Sequence, residues 1–147
     1  MGRLLAAYSD LEIGLMICVM TIRKDFDAVF KTMYRTRGES QRIDVADALG
    51  RNHFHDVGLG TRFEMSIGAI RHCLKIRNQF AHCAWYGDAS GKITFSNLEE
   101  MAEKHEKFTS FEKIPIRRAD LALLQAQYGY FEYVEGLLTW LRWEALR

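Results

Sequence analysis

Proline is nearly absent: Pro115 stands alone among 147 residues, so long stretches lack the strongest helix breaker. Cysteine is scarce and odd in number. Cys18, Cys73 and Cys83 make no paired framework, and reduced, mostly buried thiols are expected. No apolar run has the ~18 residues of a membrane span, since Ile13 to Met20, with Ile22 beyond, is bounded by Glu12 and by Arg23-Lys24-Asp25. That run reads as a buried helix segment. Asp10 and Glu12 interrupt the apolar N-terminal region and no small-residue cleavage site follows, which argues against a secretory leader. The chain is therefore expected to be cytoplasmic and to keep off membranes. An excess of one charge is also missing, because Lys and Arg number 20 against 19 Asp and Glu, which excludes a protein that coats polyanions by bulk charge. No internal repeat or low-complexity tract is present.

What is there suits one domain, residues 1–147, with 48% hydrophobic residues to fill a single core. Apolar positions recur every three or four residues from Leu4 to Arg35, through Leu11, Leu15, Cys18, Val19, Ile22, Phe26, Val29, Phe30 and Met33. The pattern predicts one long helix, apolar around most of its girth and so central, or shared between the core and a partner chain. Gly38 ends it, and Ser40 is placed to cap a shorter helix over 41–50. Arg51 to Gly60, rich in glycine and histidine, reads as a loop. Thr61-Arg62-Phe63-Glu64 is a capping box that predicts a helix ending near His82 to Trp85. Gly87-Asp88-Ala89-Ser90-Gly91 is turn chemistry, and Lys92-Ile93-Thr94-Phe95 alternates like a strand. A second capping box, Ser96-Asn97-Leu98-Glu99, opens a polar helix, and Pro115 separates it from a last helix over 119–147 with two apolar stripes. The expected fold is all-α, a bundle of four to five helices that dimerises, with room for a small β-hairpin near residues 85–96.

Charge is distributed unevenly. Between Thr61 and Ala84, Arg62, Arg71, Lys75 and Arg77 face only Glu64, whereas Glu99, Glu100, Glu103, Glu106 and Glu112 outnumber Lys104 and Lys107 between Ser96 and Glu112. A basic surface of the first kind can meet phosphate. Arg77, Asn78 and His82 near a helix end are the side chains needed to handle a phosphodiester. Asn78 and His82 share a helix face, while five residues turn Arg77 and His82 about 140° apart. An imidazole can take the proton of a ribose 2′-hydroxyl, a guanidinium can hold the charge gathering on the phosphorus oxygens, and Asn78 can orient the histidine or donate to a phosphate oxygen. Arg71 and Lys75 would draw in the strand. The structural alternative is a solvated arginine and a histidine favoured at a helix C-terminus.

Ile76-Arg77-Asn78-Gln79-Phe80-Ala81-His82 resembles the signature of the HEPN superfamily: Arg, a polar residue often Asn, three to five further residues, then His. The long first helix, the signature helix late in the middle and the long last helix are similar to that family's bundle. The resemblance implies a homodimer whose cleft holds both copies of Arg77 and His82. It further implies metal-independent cleavage of RNA without a cofactor, in toxins with a neutralising antitoxin partner, in phage defence or in RNA processing. Other members keep the fold and only bind RNA, nucleotides or proteins. The stretch from Trp85 to Phe111 departs from the common family core, which leaves the subgroup open.

Rival sites carry less. His53, His55 and Asp56 are metal-ligand types without a second cluster, and an exposed loop explains them. His72-Cys73 and His82-Cys83 lie about 15 Å apart along one helix, too far to share an ion. Glu12, on an apolar face, needs a partner such as Arg77 or His82, or is exposed or paired with Arg3 or Tyr8. Trp85 and Tyr86, and the aromatics Tyr128, Tyr130, Phe131, Tyr133, Trp140 and Trp143, could stack on bases but are better read as packing groups.

Overall fold

A computed structural model of the chain breaks the first helix where apolar periodicity alone predicts a continuous rod. Helix α1 spans Gly2–Arg23 and α2 spans Phe26–Arg35. Between them Lys24 takes a left-handed backbone at φ 56°, and the side chain of Asp25 caps the new helix by accepting from the amide of Ala28. The structure describes residues 2–87, 93–104, 106–110, 114–115, 117–118 and 120–147.

Helix α3, Glu39–Asp56, follows Gly38, whose φ of 89° suits glycine. It does not stop at Gly50, so the loop expected over Arg51 to Gly60 is helical as far as Asp56. Gly50 is there for close packing: an added Cβ would come within 2.9 Å of the Phe63 ring and 3.2 Å of Val19. Beyond it, Arg51 forks onto Asp47 one turn back at 2.6 and 2.9 Å, and Phe54 is fully buried, stacked on Phe63 with centroids 4.5 Å apart. The reversal uses Gly58, at φ 78°, and the Leu59 amide donating to the Phe54 carbonyl at 2.8 Å.

Helix α4 spans Gly60–Ala81, with His82 at its C-cap as the sequence leads one to expect. The capping box at its start does not operate, because the helix begins before Thr61 and its N-cap Leu59 makes no side-chain bond. Glu64 turns instead to His55, 3.2 Å away. Strands β1 (Cys83–Gly87) and β2 (Ile93–Asn97) pair antiparallel, Trp85 opposite Phe95. The two-residue strand β3, Arg117–Arg118, adds to β2, so the expected hairpin is a three-stranded sheet in the order β1-β2-β3. The proposed turn at Asp88 to Gly91, and Lys92, lie outside the described residues.

The short helix α5, Leu98–Glu103, is capped by Asn97, one residue later than the Ser96 capping box implies, because Ser96 is committed to the strand. Helix α6, Leu121–Leu146, starts at Asp120, whose carboxylate accepts from the amides of Ala122 and Leu123. The described residues are 77% helical, in six helices with one small sheet.

Helix α1 is central, touching α2, α3, α4 and, most extensively, α6. Leu11, Leu15 and Val19 meet Val29, Ile43, Phe63, Ile70, Val134 and Leu141 in one core. By length and apolarity alone its 22 residues would cross a bilayer, more than the Ile13 to Met20 run suggests; here they serve four helix contacts. In α6 a single stripe, Phe131, Val134, Leu138 and Leu141, is buried, while Leu121, Leu123, Tyr133, Trp140 and Trp143 remain exposed.

Candidate functional site

The last turns of α4 carry Arg77, Asn78 and His82, and the helix rotation sorts them onto two sides. Arg77 continues the stripe of buried Ile70 and Leu74 and is itself partly buried. Asn78 and His82 follow Arg71 and Lys75 on the outer stripe. Nη1 of Arg77 donates to Oδ1 of Asn78 at 2.9 Å, and Nη2 lies 3.5 Å from Oε1 of Glu39 at the start of α3. His82, half-exposed, places Nδ1 3.5 Å from Oε1 of Glu99 on α5. Arg77 and Asn78 are thus joined, whereas no hydrogen bond or ion pair among the described residues links either to His82.

The two expected substrate cations differ. Arg71 is paired with Asp44 at 2.6 Å, and Lys75 is exposed with no ion pair among the described residues.

Behind Arg77 lies a polar cluster that the sequence did not reveal. Glu12 is buried and pairs with Arg42 of α3 at 3.2 Å, not with Arg77, His82, Arg3 or Tyr8. Arg3 turns outward to Tyr128. The guanidinium of Arg42 lies over the Tyr34 ring, 5.1 Å from its centroid. Burial, then Glu12, push the Tyr34 phenol above its ordinary pKa, against the opposing charge of Arg42. Tyr8 is buried with no hydrogen-bond partner for its hydroxyl among the described residues. Its phenol is pushed well up by burial, then by Glu12 and Glu39, with Arg77 and Arg42 opposing. Glu39 brings a carboxylate to Arg77 of α4, and Arg42, one turn further along α3, brings a guanidinium to Glu12 of α1.

The sheet braces the end of α4. The Trp85 indole donates to the Phe80 carbonyl at 3.2 Å, and Phe80, Trp85 and Phe95 pack together with centroids 5.2 to 5.8 Å apart. Trp85 is therefore a packing group, and Tyr86, half-buried in β1, accepts at its carbonyl from Thr94.

The rival metal sites do not assemble: among the described residues no three His, Cys, Asp or Glu side chains are grouped to hold an ion. His53, His55 and Asp56 sit on α3, not in a loop. His72 makes an edge contact with Tyr130, 5.2 Å between centroids, and the Cys83 thiol donates to the Gln79 carbonyl. Burial raises the thiols of Cys18 and Cys73 to about 12. In α6, Trp140 lies under the Arg62 guanidinium at 5.6 Å. The chain matches no protein-family model, no curated protein and no solved structure.

Proposed function

We propose that the chain is a HEPN-type, metal-independent endoribonuclease of the cytoplasm that acts as a homodimer. The carrying observation is the pairing of His82 with Glu99 at the end of the helix that also bears Arg77 and Asn78. A carboxylate 3.5 Å from Nδ1 favours the tautomer with its proton on that nitrogen, which leaves Nε2 to act on the substrate. In the reaction, His82 serves as general base toward the ribose 2′-hydroxyl or as general acid toward the departing 5′-oxygen. The 2′-oxygen bonds to phosphorus, the 5′-oxygen leaves with a proton, and the products are a 2′,3′-cyclic phosphate and a 5′-hydroxyl. Arg77 stabilises the charge on the phosphorane oxygens, and Asn78 holds that guanidinium in place. Arg71 and Lys75 line the approach.

Within one chain Arg77 and His82 lie on different helix sides, which is why the reading calls for a second copy across the cleft. Toxin or phage-defence roles, with a neutralising protein partner, belong to the same proposal.

A noncatalytic module that binds RNA or a protein is the second reading. It is favoured by the engagement of Arg77 with Asn78 and Glu39, which suits a structural ion pair. Cleavage of single-stranded RNA in EDTA separates the two. The enzyme reading expects cyclic phosphate ends from the native chain and none from Arg77→Ala or His82→Ala. Equal behaviour of all three folded proteins rejects it.

A further inference from the structure

Helix α2 carries a row of aromatic rings that neither the core nor the proposed catalytic groups use. Phe26, Phe30 and Tyr34 recur every fourth residue, so they stand along one flank of the helix, beside the buried Val29 and Met33. Phe26 is 56% and Phe30 42% exposed, and their rings lie nearly parallel with centroids 5.6 Å apart. Tyr34 continues the row at 5.7 Å, with the guanidinium of Arg42 over its ring. The row is thus closed at Tyr34 and open at Phe26, on which no other ring stacks among the described residues.

The charges around the row specify what it can receive. The acids between Arg23 and Arg42 are committed: Asp25 caps α2, Asp27 is paired with Lys31, and Glu39 meets Arg77. Lys24, Arg35 and Arg37, by contrast, are exposed and make no ion pair among the described residues. A second copy of this face would set those cations against their own kind. A protein partner that packs on aliphatic groups would find no large aliphatic side chain exposed on α2. Flat rings flanked by unanswered cations suit instead a polymer of flat bases joined by anions.

We infer that Phe26 and Phe30 form a stacking platform for single-stranded RNA, whose phosphates are met by Lys24, Arg35 and Arg37. Bases take the open surface of the row and do not enter between its rings, because two stacking distances of about 3.4 Å exceed the 5.6 Å between Phe26 and Phe30. The closed end adjoins Arg42, which holds Glu12 and stands one α3 turn from Glu39, the partner of Arg77. A strand on the row is therefore led toward Arg77. The choice of RNA rests on the ribonuclease reading, but the platform itself requires no cleavage.

The test is fluorescence anisotropy with a short oligoadenylate bearing 2′-O-methyl groups, which 2′-hydroxyl attack cannot cut. Phe26→Ala and Phe30→Ala should each weaken binding about fivefold or more, the worth of one base stacked on a ring. Phe26→Trp, which keeps a flat ring, should bind at least as well as the native chain. Both phenylalanines are exposed and alanine favours the helix, so these variants keep the fold. Arg35→Gln with Arg37→Gln should flatten the salt dependence of binding. The same strand in a duplex, with its bases covered, should bind more weakly. No binding, native affinity in both alanine variants, or equal affinity for strand and duplex overturns the inference. So does a Phe26→Ala change that alters the sedimentation of the chain and leaves RNA binding untouched, since the row would then be a contact with a second copy. Because the probe cannot be cut, this outcome is independent of the cleavage assay: a chain that binds through the row and cuts nothing rejects the enzyme reading alone.

Discussion

Nη1 of Arg42 stands 3.2 Å from Oε1 of Glu12, so α3 supplies the charge that lets α1 keep a carboxylate inside the bundle. Removing one partner leaves the other buried and uncompensated. We predict that Arg42→Met destabilises the fold by about 3–5 kcal/mol in urea unfolding, while the double change Glu12→Leu with Arg42→Met recovers most of the loss. A double variant as unstable as the single would contradict this account.

Tyr8 should behave in the opposite way. Its hydroxyl is buried beside Glu12 and Glu39 with no partner among the described residues, and desolvation of such a group is a cost. Tyr8→Phe is expected to leave the midpoint of urea unfolding unchanged or to raise it.

Catalysis by His82, as proposed, would feel its carboxylate. Glu99→Gln should lower kcat for RNA cleavage about tenfold, with KM little changed, and His82→Ala should lower it by ~100-fold or more. A Glu99→Gln protein with native kcat would remove that carboxylate from the mechanism.

Stability should fall in alkali. Burial raises the thiols of Cys18 and Cys73 from 9.0 to about 12, so the unfolded chain releases their protons first. Their contribution is complete below pH 9 and is lost as pH climbs toward 12. Unfolding free energies measured across that range should decline, and Cys18→Ala with Cys73→Ala should flatten the decline. In the native protein a thiol reagent should reach Cys83, the least buried of the three, before the others.

At Gly50 two effects compete. Alanine gains about 1 kcal/mol of helix propensity, but a methyl 2.9 Å from the Phe63 ring forces a repacking worth about 1–3 kcal/mol. Overpacking should win, and Gly50→Ala should lower the thermal midpoint.

The sequence was most legible where one periodicity had no competitor. The end of α4 at His82 and the long α6 stand close to their expected bounds, as does the strand pair framing Trp85 and Phe95. It misled where one residue type has two physical uses. Gly50 reads as a stop yet is a contact surface, and Thr61 with Glu64 reads as a cap while Glu64 serves His55. The break at Lys24 was hidden because apolar spacing persists on both sides of it, and only Asp25 marks the new start. Arg77, Asn78 and His82 were visible as a motif. Their partners Glu39 and Glu99 were not, since each comes from another helix and no spacing rule reaches that far.

The aromatic brace at the end of α4 also gives the molecule a built-in optical probe. Of three tryptophans, Trp140 and Trp143 are 43% and 62% exposed and should emit as water-bathed indoles, whereas Trp85 is partly buried between two phenylalanine rings and bonded to the backbone of that helix. Replacing the two outer indoles with phenylalanine would leave one emitter within a few residues of both His82 and Ser96. Its colour would then report, without any label, each event that loosens or tightens this corner.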